Sequence, residues 1–214
     1  MNPLVAQIND LLKEMPFLHA FCGGFAIDLF LGRESRRHGD VDIFACWADR
    51  SAIIEAMLAR GFEVYEMLGG GKSHRLESVP EVELRKNIFC IKDGCEIMRA
   101  IPADEPGIYW NDFRHTGQTK PDYLEFLFNE CAEDGFVCGK NAAIRRPLEK
   151  AILSDGQFSF LAPEICLLYK AETPEREGYQ QDYELAMKKM SAEQKAWLND
   201  ALMRSYPEGH AWIV

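Results

Sequence analysis

Asp40 and Asp42 stand two residues apart in the run Arg36-Arg37-His38-Gly39-Asp40-Val41-Asp42-Ile43-Phe44, downstream of the pair Gly23-Gly24. Alternate residues of a strand point to one face and lie about 6.6 Å apart along the chain, so both carboxylates would enter one pocket. A hard cation such as Mg2+ takes oxygen ligands and shares them between carboxylates and phosphate oxygens. Two acids at the head of an apolar strand are costly unless a cation or a donor compensates them. The bland alternative is a pair of loop carboxylates capping nearby backbone. The glycines weigh against it: between a strand-like and a helix-like run, they let phosphate oxygens approach N–H groups that a Cβ would obstruct, beside a helix N-terminus. Alone, Gly-Gly would read as a tight turn. Together the two features describe a magnesium site beside a triphosphate.

The surrounding elements are those such a site needs. Asn2-Pro3 followed by Val5, Ile8, Leu11 and Leu12 predicts a capped amphipathic helix. Phe17 to Cys22 reads as a short strand, and Phe25 to Leu31 as a mostly buried helix ended by Gly32. Val41 to Cys46 is the strand carrying Asp42, with Asp40 at its edge. Asp49 is placed to cap a helix through Ile53, Ile54, Met57 and Leu58 that Gly61 would end. Strands are expected at Phe62 to Leu68, Val82 to Ile91 and Cys95 to Ile101, the last two as a hairpin around Lys92-Asp93-Gly94. Residues 102–135 have no clear period, and further strand is expected from Phe136 to Leu148. Pro163 opens a helix through Leu168 and Lys170, Pro174 closes it, and Ser191-Ala192-Glu193-Gln194 is a capping box for a last helix.

Composition narrows the class. A chain of 214 residues, 47% hydrophobic, can build one substantial core or a core with a small satellite. A net charge of −10 argues against nucleic acid as the main partner and suits a cationic small molecule. The seven cysteines form no C-x-x-C pair, so reduced thiols in a cytoplasmic protein are expected. The N-terminus has no cleavable signal pattern, and no apolar stretch reaches the length of a membrane span.

Gly23-Gly24-Phe25-Ala26-Ile27-Asp28, the segment Arg33 to Arg37 and His38-Gly39-Asp40-Val41-Asp42-Ile43 resemble the signature of the aminoglycoside and lincosamide nucleotidyltransferases. Phe160 to Ala171 resembles the opening of that family's helical C-terminal part, and Trp197-Leu198 and His210-Ala211-Trp212 fit the same pattern. The resemblance implies an α+β (α/β) nucleotidyltransferase fold, a mixed twisted sheet with flanking helices over residues 1–160, and a small helical domain over 161–214. It also implies a third carboxylate on a neighbouring strand, which completes the metal site or deprotonates an acceptor hydroxyl. Glu96 is the candidate, with an ordinary exposed strand glutamate as its rival reading and Glu81 and Glu83 as alternatives. Asp93 reads as a turn residue. Lys170, by resemblance, contacts the triphosphate. Ser35 and Arg37 are assigned to the nucleotide alongside Gly23 and Gly24, and Arg36 could also neutralise phosphate. His38 reads as a local hydrogen-bonding residue. Gln181-Asp182 stands where the family often has Lys-Asp, which leaves Asp182 without a clear role.

The expected activity is Mg2+-dependent transfer of a nucleoside monophosphate from ATP or another NTP to a hydroxyl of a small molecule, an aminoglycoside or lincosamide antibiotic first, with release of pyrophosphate. Two rivals are carried: the same chemistry on a protein or tRNA end, and a non-catalytic nucleotide-binding module of the same fold. Gly69-Gly70-Gly71-Lys72-Ser73 imitates the end of a Walker A loop, but the required first glycine falls at Glu66, so a loop is the better reading. Tyr109, Trp110 and Phe113 are expected to pack in a hairpin or core.

Overall fold

Helices start and stop where side-chain chemistry places them. In the computed structural model, which describes all residues except Met1, Glu83, His115, Thr116, Glu133 and Asp134, Asn2 caps α1 (Pro3–Leu12) by accepting from the Leu4 N–H at 3.0 Å. Then follow β1 (His19–Phe21), α2 (Gly23–Leu31), β2 (Asp42–Cys46), a 3-10 turn at Trp47–Asp49 and α3 (Arg50–Ala59). Gly32 ends α2 in the left-handed region, while Asp49 precedes α3 without the side-chain cap expected of it. The strand-rich middle comprises β3 (Glu63–Gly69), β4 (Lys72–Leu76), β5 (Ile88–Ile91), β6 (Met98–Pro102), β7 (Ile108–Phe113), β8 (Tyr123–Ala132), β9 (Gly135–Val137) and β10 (Arg145–Arg146). The chain closes with α4 (Leu148–Ala151), β11 (Ile152–Ser154), β12 (Ser159–Leu161), α5 (Pro163–Lys170), α6 (Tyr179–Lys189) and α7 (Ala192–Ser205), the last opened by the Ser191/Gln194 capping box.

Two compact units are formed, one from Ala20–Arg36 with Asn129–Val214, the other from Asn2–His19 with Arg37–Phe128. In the first unit β1 pairs in parallel with β12, Phe21 opposite Phe160, and β11 joins β12 antiparallel. Helix α5 packs on α2, α6 and α7, burying Ile165, Leu167, Leu198 and Leu202. The boundary expected near residue 160 falls inside this unit, because the helices after it close over α2 rather than on one another alone.

The same unit contains a glycine that no other residue can replace. Gly135 sits at φ +122°, and a Cβ there would lie 2.3 Å from the Arg146 carbonyl oxygen and 2.7 Å from the Leu148 nitrogen. Backbone cannot yield as a flexible side chain can. Gly135→Ala is expected to cost at least about 3 kcal/mol, read as a shift of the denaturation midpoint.

In the second unit the strands run in the order β2-β8-β5-β3-β4-β7-β6. Helix α3 lies on β3, with Ile53, Ile54 and Met57 buried, and Val64, Cys90, Leu124 and Phe126 share one fully buried face of the sheet. The expected hairpin of β5 with β6 does not form. β5 pairs antiparallel with β3 and β8, and β6 pairs with β7. Gly69-Gly70-Gly71, all at positive φ, instead make the turn of the β3–β4 hairpin, where Lys72 lies 4.5 Å over the Trp110 ring. Cys22, Cys90, Cys95, Cys138 and Cys166 are free, buried thiols. Among the described residues no helix is long and apolar enough to cross a membrane.

Candidate active site

The acids of the second unit converge as their spacing implies. Asp42 opens β2 and Asp40 precedes it by two residues, both half-buried. The strand beside β2 is β8, and the Glu125 N–H donates to the Val41 carbonyl at 3.3 Å, which sets Glu125 against the residue between the two aspartates. One oxygen from each of Asp40, Asp42 and Glu125 lies within 4.8 Å of the others. Three carboxylates so close repel one another unless a cation joins them, and an all-oxygen, trianionic set suits Mg2+. The residues present therefore fit the ion that the motif implies.

The acid that the structure brings beside the two aspartates is Glu125, and not Glu96. Glu96 lies in the bend before β6 between buried Cys95 and Ile97, so its side chain points outward, 56% exposed, and pairs with Lys120 at 3.0 Å. Glu81 is exposed as well, and Glu83 lies outside the described residues. The expected β5–β6 hairpin would put Glu96 near β2, whereas the sheet places β8 beside β2 and β6 at the far edge with β7. A signal was present. Tyr123-Leu124-Glu125-Phe126-Leu127-Phe128 has a single acid inside an apolar strand, the feature that singled out Asp42.

Several contacts hold the mouth of this cluster. The Gln118 N–H donates to the Gly39 carbonyl at 2.9 Å, and its Nε2 donates to the Tyr123 carbonyl at 2.7 Å, tying the openings of both acid-bearing strands. Arg37 packs on Gly117, whose φ of +77° strains any other residue and where an added Cβ would lie 2.8 Å from the Arg37 Nε, displacing the guanidinium. His38 is buried. The Tyr123 hydroxyl donates to Glu125 Oε2 at 3.1 Å, and burial, then the charges of Glu125, Asp40 and Asp42, push its pKa well above the usual tyrosine value.

The glycine turn belongs to the first unit. Gly23, at φ +62°, begins α2 directly after extended Cys22, which supplies no side-chain cap. A non-glycine residue is strained at that angle, so the first turn of α2 presents backbone donors and the positive end of its dipole without a side chain over them. Ser35 is held by Asp28, which accepts from both its N–H, at 2.9 Å, and its hydroxyl.

Sequence reasoning left Asp182 without a role, and the structure makes it a hub. Fully buried on α6, it accepts from Arg36 Nε at 2.9 Å and Nη2 at 2.8 Å and pairs with Lys170 Nζ at 3.1 Å. Lys170 also lies 4.0 Å over the Tyr179 ring, and Arg36 covers Gly178, where a Cβ would sit 2.6 Å from its Nε. Arg36 therefore serves as an internal partner of Asp182, and Lys170 is anchored by the same carboxylate.

The profile of the aminoglycoside-2''-adenylyltransferase family matches residues 4–118. Among solved structures, the antibiotic-resistance factor ANT(2'')-Ia in solution is 16% identical over 96% of this chain and 92% of its own, with a TM-score of 0.56. The crystal structure of ANT(2'')-Ia with adenylyl-2''-tobramycin is likewise 16% identical, over 94% and 97%, at 0.55. The lincosamide antibiotic adenylyltransferase LnuA, bound to lincomycin, is 13% identical over 89% and 98%, at 0.53. At these identities the likeness establishes a shared nucleotidyltransferase fold. No curated protein is a significant match to the chain.

Proposed function

This chain belongs to the aminoglycoside-2''-adenylyltransferase family, a family of nucleotidyltransferases, and from that premise we propose that it transfers a nucleoside monophosphate from an NTP to a hydroxyl of a small-molecule antibiotic, releasing pyrophosphate. The observation that carries the reading is the convergence of Asp40, Asp42 and Glu125. These carboxylates would hold Mg2+, which supplies charge neutralisation at the transferred phosphate. As the acceptor oxygen bonds to the α-phosphorus and the bond to pyrophosphate breaks, Glu125 takes the hydroxyl proton. ATP is the first donor to test, and an aminoglycoside the first acceptor, since the chain's net charge of −10 suits a polycation.

Phosphate-binding roles for Gly23, Gly24, Ser35, Arg37 and Lys170 are proposed from the motif. The uncapped start of α2 supports the glycine roles, whereas Lys170 is paired with Asp182, so its role rests on the motif alone. A cytoplasmic setting is proposed as well, as that of NTP.

Asp42→Asn is expected to lower pyrophosphate release from Mg2+-ATP at least about 100-fold with little change in unfolding. Near-normal release by that variant would remove the metal assignment. A panel of aminoglycosides and lincosamides, run beside calorimetry with Mg2+-ATP, distinguishes catalysis from a binding module: the module would bind nucleotide and turn over no acceptor.

A further inference from the structure

We infer that Tyr123 is the positioning residue of the acid cluster, fixing the Glu125 carboxylate so that one oxygen faces Asp40 and Asp42. The inference rests on the proposed metal site and concerns how that site is aimed. A glutamate has three rotatable bonds, and its head group is free to swing unless something holds it. Repulsion from two aspartates would swing it away.

Tyr123 and Glu125 are two residues apart on β8 and share one face of the strand. The tyrosine ring itself is immobile. It is fully buried, stacked on Phe89 at 6.2 Å and met edge-on by Phe113 at 6.1 Å, and its residue pairs with Ile91 of β5. A rigid ring places its hydroxyl at one point, and there it donates to Glu125 Oε2 at 3.1 Å. With one carboxylate oxygen so held, the head group is tied to one place beside Asp40 and Asp42. The Gln118 contact to the Tyr123 carbonyl holds the backbone from which both side chains spring. A hydrogen bond to a metal-binding carboxylate contributes typically 10–100-fold in metal affinity or activity.

The test is Tyr123→Phe, which deletes one oxygen and keeps every ring contact. Binding of Mn2+ alone is measured by calorimetry on wild type, Y123F, Glu125→Gln and the double variant, with thermal unfolding and kcat and KM on the same samples. Y123F is expected to bind Mn2+ about 10-fold or more weakly and to lose kcat by a similar factor, with KM for the acceptor and the melting temperature little changed. In the Glu125→Gln background the tyrosine substitution should have no further effect on Mn2+ binding, because there is no carboxylate left to aim. Phe113→Leu loosens the ring without touching the hydroxyl, and should lower stability more than Mn2+ affinity. A Y123F protein that matches wild type in Mn2+ affinity and kcat overturns the inference while leaving the metal site standing, as does an equal loss from Y123F in both backgrounds. A wild-type protein that binds no Mn2+ removes the metal site itself.

Discussion

Glu125→Gln is expected to lose about 10^3- to 10^4-fold in turnover, while Glu96→Gln stays within about twofold of wild type. The first substitution keeps the shape of the side chain and removes its charge, so under the proposed mechanism it weakens the hold on a divalent ion and leaves no base for the acceptor hydroxyl. The structure places this residue within reach of Asp40 and Asp42 and gives it the Tyr123 hydroxyl as a further partner. Glu96, by contrast, loses only an exposed pairing with Lys120, and such surface pairs contribute at most about 1 kcal/mol. Single-turnover pyrophosphate release with saturating Mg2+-ATP checks both. Equal loss in the two variants, or loss in Glu96→Gln alone, would return the third carboxylate to the bend before β6.

The largest stability effect is expected at Asp182. Its carboxylate is the shared partner of Arg36 and Lys170, and all three side chains are largely withdrawn from water. Asp182→Asn retains the volume but leaves two cations facing a neutral amide, a loss of about 3–5 kcal/mol. For a chain of this size that corresponds to a fall of roughly 6–20 °C in Tm. Replacing Arg36, Lys170 and Asp182 together by apolar residues of similar volume should recover much of the stability, because no unpaired charge then remains buried. Thermal unfolding of the single and triple variants reads this directly. If Asp182→Asn unfolds like wild type, the carboxylate is not the hub that its contacts describe.

These two sites divide what was legible early from what was not. The Asp40/Asp42 pair, the glycine bend at Gly23, the Gly32 stop and the Ser191/Gln194 cap are local: each depends on residues a few positions apart, where strand alternation, positive φ or a capping bond follows directly from side-chain type. The family resemblance rested on such runs, and the family profile matches the region that holds the acid pair. Helices and strands with strong periods were equally readable.

Glu125 and Asp182 depend on which distant segments become neighbours. Sheet order is decided by how whole apolar faces are buried, and here β8 lies between β2 and β5 while the nearer β6 goes to the far edge with β7. Nothing in the residues around Asp42 selects β8 as its neighbour, because that pairing is set by which long-range faces are buried. Arg36 and Asp182 are 146 residues apart, and only the packing of α6 on α2 makes their charges compensate. Local chemistry thus chose the acid pair and the glycine turn, and the burial of long-range surfaces chose the groups that stand beside and support them.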